Sequence, residues 1–322
     1  MTASAARRFA WLLLLATVAA PVSAQSVRTF SMRADNDAFD FWMLPWNRPD
    51  REYTSGVHLT YDGGDAPWWS RRLLGGQSCT VESRACRTSR LEIGQDIYTP
   101  LVATGDTAAA TDRPNAGWLY LSESARSLTV DRSDELTISV GVTGPPSLAR
   151  LTQHIAHDMG PAYNRATDWS RQIGFEPGII ARFEHDVRFA TPASVPLGAE
   201  LVPRIGATVG NVITAADVGA RIRFGWRMSH PWLPPSRDVG FDILAGASAR
   251  AVARDMFLDG NTFSDGPRVG HEPFVESGEL GFEIHARGIA LGYRAVGDSR
   301  AFRAGPKWHP WGSMFGSITL GN

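Results

Sequence analysis

Three short stretches of this chain combine acidic, hydroxyl and imidazole side chains that could together hydrolyse an ester. "RADNDAF" contains Asp35 and Asp37, "DREYTSGVHLTY" contains Thr54, and "QHIAH" ends in His157. A neutral imidazole can take a proton from water near neutral pH, and a carboxylate such as that of Asp37 can hold a hard cation through its oxygens. Calcium with a histidine base is sufficient for ester hydrolysis, because the ion polarises the carbonyl and stabilises the oxyanion.

Other kinds of site have little support in the sequence. Neither a GxSxG nucleophile elbow nor an HExxH zinc motif occurs. The sequence therefore gives no local support for a typical serine hydrolase or a typical zinc hydrolase. Cys79 and Cys86 are close together in "CTVESRAC", which favours a short structural disulfide loop in an oxidising compartment. The balance of 32 Lys plus Arg against 33 Asp plus Glu gives no case for a nucleic-acid partner.

The elements that must position these residues show period-two alternation. In "DELTISVGV", Leu136, Ile138 and Val140 fall on one face, while Thr137 and Ser139 fall on the other. The pattern runs longer still in "GFDILAGASARAVAR". Strands of about 10 residues with an unbroken apolar face are typical of a membrane barrel, where lipid contacts that face and the other lines a polar lumen. A soluble β-sandwich with the same alternation is the alternative.

The alternation predicts an all-β fold, namely a twelve-stranded antiparallel transmembrane β-barrel. The predicted strands are 27–37, 53–63, 89–98, 116–126, 134–143, 177–187, 199–210, 216–227, 239–254, 273–285, 288–297 and 311–321. Arg7 and Arg8 before an apolar run, with small residues up to Ala24, predict a signal peptide over 1–24 and one barrel domain over 25–322. The final "SITLGN" lacks the C-terminal aromatic residue expected of an outer-membrane strand.

One segment has helical spacing instead. In "SLARLTQHIAHDMG", an apolar stripe at 148, 151, 155 and 159 should pack on protein or touch the membrane interface, and Ser147 is the expected N-cap. His157 lies nearly opposite the stripe, and His154 lies to one side of the polar face. If both termini are periplasmic, this helix is in the third outward loop.

The same topology brings "RADNDAF", "DREYTSG", "GQDIYTP", "DRPNAGWLY" and "GFEPG" to one outward rim, although each alone is also typical of ordinary strand ends and loops.

At these residues the sequence resembles the outer-membrane lipid A 3′-O-deacylases. The matching stretches, in the family's order, are "DNDAF" at 35–39, "DREYTSG" at 50–56, "GQDIYTP" at 94–100, "DRPNAGWLY" at 112–120, "VGVTGPPS" at 140–147, "QHIAH" at 153–157 and "GN" at 210–211. The resemblance implies a carboxylic ester hydrolase in the outer membrane, with its site open to the outer leaflet. Its substrate would be lipid A of lipopolysaccharide, from which it would remove the 3′ ester-linked acyl chains. Outer-membrane lipids would be its other partners and calcium its cofactor.

The resemblance also implies roles for individual residues. His157 would be the general base that activates water, Asp37 would place the calcium ion, and Asn36 and Thr54 would complete the catalytic set. The substrate-binding candidates are Tyr53, Tyr98, Arg113 and Gln153.

Two departures from the family pattern bear on the site. The glutamate that some members carry just beyond the histidine is absent from "HDMGPAY". Asp158 and Glu176 are then the candidates for the group that orients His157. The loop "LVATGDTAAATDRP" lacks a lysine found in some members, which leaves Arg113 as its basic residue. The alternative functions are an outer-membrane phospholipase acting from the same rim and a noncatalytic barrel, either a pore or an adhesin.

Overall fold

The structure, a computed structural model, describes residues 28–40, 51–70, 85–100, 110–159, 168–192 and 195–320. Within these ranges the chain forms twelve long strands, one two-residue strand and two helices. The strands are β1 (Arg28–Asn36), β2 (Glu52–Asp62), β3 (Ala85–Thr99), β4 (Ala116–Thr129), β5 (Arg132–Thr143), β6 (Pro177–Val187), β7 (Phe189–Ala190), β8 (Leu197–Gly210), β9 (Ile213–Trp226), β10 (Gly240–Asp255), β11 (Phe274–Ala286), β12 (Ile289–Ser299) and β13 (Trp308–Leu320). The helices are α1 (Ala149–Met159) and α2 (Met256–Asp259). The predicted signal peptide lies outside the described residues.

The twelve long strands close into an antiparallel barrel. β1 pairs with β13, with Arg28 opposite Leu320, and β6 pairs with β8, with Ile180 opposite Gly210. The short strand β7 pairs with β8 beside this second seam. The predicted fold class is therefore confirmed, and the last strand forms although the chain end lacks the expected aromatic residue.

Alternation separates an apolar outer face from a charged lumen. On β9, Val218 and Ile222 are exposed on the outer face. Arg223 points to the opposite face and is buried. Arg223 donates to Glu200 Oε1 at 2.6 Å and to Asp242 Oδ2 at 2.7 Å inside the lumen. Pairing of this kind offsets the cost of taking charges out of water. The sandwich alternative is wrong, because an apolar face that a sandwich would bury is here the outer surface of a closed barrel.

Helix α1 stands at the end of the barrel where β1, β3 and β5 finish, which we call the α1 rim. A 3-10 turn, Pro145–Ser147, precedes the helix, and Leu148 adopts a left-handed conformation with φ 61° between them. The Ser147 hydroxyl donates to Gly144 O at 2.6 Å. The prediction that Ser147 caps α1 is therefore wrong, because the tight turn from β5 uses this hydroxyl and the helix begins two residues later.

Two further features are a disulfide-bonded cysteine and the short length of the helices. Cys86, on β3, is disulfide-bonded, and Cys79, the other cysteine of the sequence, lies outside the described residues. Neither helix in the described ranges is long and apolar enough to cross a membrane.

Candidate active site

Strand pairing brings the polar stretches together at the α1 rim, as the sequence predicted. Asn36 at the end of β1 lies opposite Ser55 of β2, and Tyr53 of β2 lies opposite Tyr98 of β3. Tyr98 in turn lies opposite Ala116, the first residue of β4. Residues up to 45 positions apart in the chain, such as Tyr53 and Tyr98, thus become neighbours across adjacent strands.

Helix α1 packs on the outer face of the barrel wall. On β3, Asp96 faces the lumen, where it contacts the Tyr53 hydroxyl, while Ile93 is exposed on the opposite face. Ile97 shares the face of Ile93, because side chains alternate along a strand. Ile97 is nevertheless only 2 % exposed, since Ala149 of α1 and Trp169 cover it. We call the boundary between α1 and the outer wall, on the side of the barrel away from the lumen, the groove.

A β-bulge turns Thr54 toward this groove. The pairing of β2 with β3 shifts between Tyr53 and Ser55, so Thr54 is the extra residue. Its Oγ1 lies 2.6 Å from Oγ1 of Thr99, which is on the same face of β3 as Ile97. Strict alternation along β2 would place Thr54 on the face of Gly56 and His58. The structure differs, because a bulge inserts one residue and reverses the alternation beyond it.

The bulge also places Tyr53 in the lumen. Its hydroxyl donates to Asp35 Oδ2 at 2.8 Å and lies 3.1 Å from Asp96 Oδ1. His58 lies in the same group, with Nε2 3.5 Å from Asp35 Oδ2 and 3.4 Å from Asp96 Oδ1. Tyr53, predicted to bind substrate, is thus part of a lumen network that the sequence analysis did not assign. A signal for this network was present in the sequence, because alternation places Asp35 and His58 on the lumen face of neighbouring strands.

Arg113 and Tyr98 form a second group at the α1 rim. The Arg113 guanidinium lies 4.6 Å from the centre of the Tyr98 ring and donates from Nη1 to Glu52 Oε2 at 3.1 Å. The other side of Tyr98 stacks on Phe257 of α2, with ring centroids 4.8 Å apart. Arg113 is buried and ion-paired, so the structure does not present it as an open cation at the rim.

Asn36 and Asp37 form the turn at the end of β1. The Asn36 side-chain oxygen accepts from Ala38 N at 2.7 Å and caps the 3-10 turn Asp37–Phe39. Asp37 is buried, and its Oδ2 accepts from Arg51 N at 3.0 Å just before β2 begins. Asn36 thereby orients the backbone that carries Asp37.

On α1, Gln153 and His157 are one turn apart and on the same side. Gln153 is buried, and its Oε1 accepts from the indole N–H of Trp169 at 2.8 Å. His157 is partly buried, as is His154, while Asp158 is exposed. Since the side chain of Gln153 is buried at the wall, His157 lies at the edge of the helix face that borders the groove.

The apolar stripe of α1 does not pack on protein. Leu148, Leu151 and Ile155 are 51 %, 55 % and 48 % exposed. Of the two expectations for the stripe, packing on protein is wrong, because Ala149 and Gln153 supply the wall-facing side. The stripe faces away from the wall, which leaves the membrane interface as its expected environment.

Glu176 was one of the two candidates for the group that orients His157. Its carboxylate instead joins three loops. Its Oε2 accepts from Thr262 N at 2.7 Å, from Phe263 N at 3.2 Å and from Asn261 Nδ2 at 3.2 Å, and its Oε1 accepts from Asn211 Nδ2 at 3.0 Å. Burial opposes ionisation of this carboxyl, but the hydrogen bonds outweigh burial and hold its pKa below the ordinary value. We call this group the Glu176 clamp. It also explains the "GN" stretch, whose asparagine is one of the donors.

A histidine–aspartate pair near α2 was not found from the sequence. His271 Nδ1 lies 2.8 Å from Asp259 Oδ1, and its Nε2 lies 3.2 Å from Val252 O. Both ring nitrogens lie within hydrogen-bonding distance of protein oxygens, so neither is open to a water molecule or a substrate. The pair is therefore a structural tie between α2 and β10, and it does not compete with His157 as a base.

Among the described residues, no three His, Cys, Asp or Glu side chains form a group that could hold a metal ion. Calcium coordination at Asp37 stays a prediction.

Comparison with known proteins agrees with this architecture. The family model described as "Outer membrane protein LpxR" matches residues 9–320. A solved structure, LpxR from Salmonella typhimurium, superposes with a TM-score of 0.71 at 19 % sequence identity and covers 90 % of this chain and 99 % of that chain. At this identity the likeness concerns the fold.

A second solved structure, the β domain of the Bordetella autotransporter BrkA, has a TM-score of 0.44 at 14 % identity, covering 92 % of this chain and 98 % of that chain. A comparison with curated protein sequences finds no match.

Proposed function

The chain belongs to the LpxR family of outer membrane proteins, which makes it an outer-membrane lipid A deacylase by family, and from this premise we propose its reaction and site. We propose that it hydrolyses the 3′ ester-linked acyl chains of lipid A, with calcium, from the outer leaflet. The α1 rim would then face outward, and lipopolysaccharide would be the substrate.

The observation that carries the proposal is the position of α1 on the outer wall. A substrate in the outer leaflet can reach a groove between wall and helix by lateral movement, without entering the lumen. Thr54 is buried beside this groove, against Thr99, and the exposed stripe of α1 faces away from the wall. Lumen charges such as Arg223, in contrast, are paired with one another. This arrangement favours a lipid-modifying enzyme over a pore.

His157 acts as the general base in the proposed reaction. Its neutral imidazole takes a proton from water while the water oxygen forms a bond to the ester carbonyl carbon. The tetrahedral intermediate then collapses, the bond to the sugar oxygen breaks, and the imidazolium returns its proton to that oxygen. The products are a free fatty acid and lipid A with a free 3′ hydroxyl.

Asp37 is the described carboxylate that would hold calcium. It is buried at the rim, and hard cations take carboxylate, carbonyl, hydroxyl and water oxygens. Backbone carbonyls, hydroxyl groups and water would supply further oxygen ligands beside Asp37. When bound, the ion would supply positive charge for the developing oxyanion. Asn36 holds the turn of Asp37, and the Thr54 hydroxyl would hydrogen-bond the ester or the water.

Tyr53, Tyr98, Arg113 and Gln153 remain the proposed substrate-binding residues. The contacts of these four side chains support an indirect role. The Tyr53 hydroxyl is bonded within the lumen, Tyr98 and Arg113 pack on each other, and Gln153 is bonded to Trp169.

Mass spectrometry of lipid A tests the proposal. Cells that express the wild-type chain should contain lipid A without its 3′ acyl chains, and His157→Ala should restore the full acyl complement while the barrel still assembles. His154→Ala is the matched control, because it removes a partly buried imidazole from the same helix and should leave deacylation intact. Unaltered lipid A with wild-type protein would overturn the proposal, and acyl loss from glycerophospholipids instead would identify a phospholipase.

A further inference from the structure

Trp169 connects helix α1 to the end of its own loop. The chain returns to the barrel along residues 168–176, which we call the return segment. Trp169 is buried between Ile97 of the outer wall and Ala149 of α1. Its indole N–H donates to Oε1 of Gln153 at 2.8 Å, and both partners are buried.

The return segment is fixed to the wall independently of α1. Asn115 N donates to Arg171 O at 3.0 Å, and Ile173 N donates to Asn115 O at 2.9 Å, which forms a short parallel bridge. The Asn115 side-chain amide also donates to Asp168 O at 2.7 Å, directly before Trp169. Three hydrogen bonds to one buried residue thus hold the backbone of Trp169 in place relative to β4.

In the described part of the chain, α1 meets the wall through Ala149 in its first turn, which packs beside Gly117 of β4, and through Gln153 in its second turn. Its apolar stripe is exposed on the opposite side. The bond from Trp169 therefore links the helix to a fixed part of the wall. Gln153 lies one turn before His157 on the same side, so a rotation that breaks this bond also moves the imidazole.

We infer that Trp169 is a positioning residue that sets the orientation of His157 by fixing Gln153. The inference rests on the proposed function, because it concerns the base of that reaction. Without the indole N–H, the buried Gln153 oxygen loses its donor, and the helix gains by turning this oxygen toward water. A displacement of about 1 Å at a reacting group can cost about 100-fold in rate.

The test compares Trp169→Phe with the wild-type full chain in detergent micelles with purified lipid A. Phenylalanine keeps an aromatic ring against Ile97 and Ala149 but removes the N–H together with part of the indole ring, whereas Gln153→Met breaks the same hydrogen bond and leaves the indole in place. We expect kcat to fall about 10-fold to 100-fold with KM within about two-fold, because the base moves while the binding surface remains. Hydrogen exchange of residues 149–159 should accelerate, while the strands keep their protection.

Trp232→Phe is the matched control. Its indole N–H also donates to a carbonyl, Thr129 O at 2.8 Å, but at the opposite end of the barrel. We expect this variant to lose one equivalent hydrogen bond and to keep both kcat and the exchange of residues 149–159.

A double-mutant cycle shows whether Trp169 acts through Gln153. If it does, Trp169→Phe should have little further effect on kcat in a Gln153→Met background. An equal loss in both backgrounds, or wild-type kcat and exchange in Trp169→Phe, would overturn the inference. If Trp169→Phe does not assemble, Gln153→Met breaks the same bond from the other side, and unchanged exchange of the helix would then refute the inference.

The two proposals fail in different ways. Absence of deacylation by the wild-type chain refutes the proposed function, whereas hydrogen exchange of α1 still reports on the role of Trp169. Normal deacylation by Trp169→Phe refutes the positioning role and leaves the proposed function intact.

Discussion

The Glu176 clamp should control whether the loops of the α1 rim stay docked, and Glu176→Ala tests this directly. The carboxylate accepts four hydrogen bonds that connect the return segment to Asn211 and to the loop after α2. In the alanine variant the backbone N–H groups of Thr262 and Phe263 lose their acceptor. The barrel strands do not depend on these bonds, so the expected effect is local opening of the loops.

The size of the effect follows from the lost acceptor. A hydrogen bond to a charged group contributes about 1.5 to 3 kcal/mol. Taking about 1.5 kcal/mol for each of the two backbone groups gives about 3 kcal/mol, since water at the rim offsets part of the loss. Each 1.4 kcal/mol is tenfold in an equilibrium constant, so the opening equilibrium should shift about 100-fold.

Hydrogen exchange of the Thr262 and Phe263 amides measures this opening in the intact protein. We expect exchange about 100-fold faster in Glu176→Ala at neutral pH, with unchanged protection in β3 and β4. Glu276→Ala is the control, because it removes an exposed carboxylate from the same end of the barrel. Protection of Thr262 within about threefold of the wild type would show that the clamp does not hold the loops.

Two further predictions concern pH and the cation. Because the pKa of Glu176 is lowered from 4.5 in the folded protein, its contribution is complete above 4.5 and is lost as pH falls through the lowered value. Protection of the Thr262 amide, corrected for intrinsic exchange, should therefore be flat from neutral pH to about 5 and fall below 4.5 in the wild type, but not in Glu176→Gln. Thorough chelation should abolish lipid A deacylation and added calcium should restore it, whereas Asp37→Ala should stay inactive at every calcium concentration. Activity that survives chelation would contradict the role of calcium, and an active Asp37→Ala would contradict that of Asp37.

The sequence predicted the strands well because each strand is a local pattern. A residue on a barrel strand contacts either lipid or lumen, and alternation of apolar and polar residues records that choice directly. The twelve predicted spans agree with the long strands to within a few residues, and the helix was visible from its 3.6-residue spacing. Because antiparallel neighbours follow one another in the chain, the meeting of the polar stretches at one rim also followed from the strand order.

The sequence did not predict which side of the wall carries the groove. Alternation assigned Thr54 to the lumen, but a bulge shifts the register by one residue and turns the hydroxyl outward. A bulge leaves no reliable mark in a single sequence, because any residue type can occupy the extra position. The apolar stripe of α1 was misassigned for a related reason, since helical periodicity shows that a helix has two faces but not which one meets the wall.

The sequence by itself therefore determined the barrel, the family resemblance and the types of side chain available for ester hydrolysis, because these depend on residue identity and local spacing. Only the tertiary structure decided that α1 lies outside the wall, that Tyr53 and Thr54 point in opposite directions, and that Glu176 and Trp169 hold the rim together. These depend on contacts between residues far apart in the chain, such as Glu176 with Thr262, and on the packing of one buried indole. Local spacing carries no information about such contacts, because the partner is chosen by the folded chain as a whole.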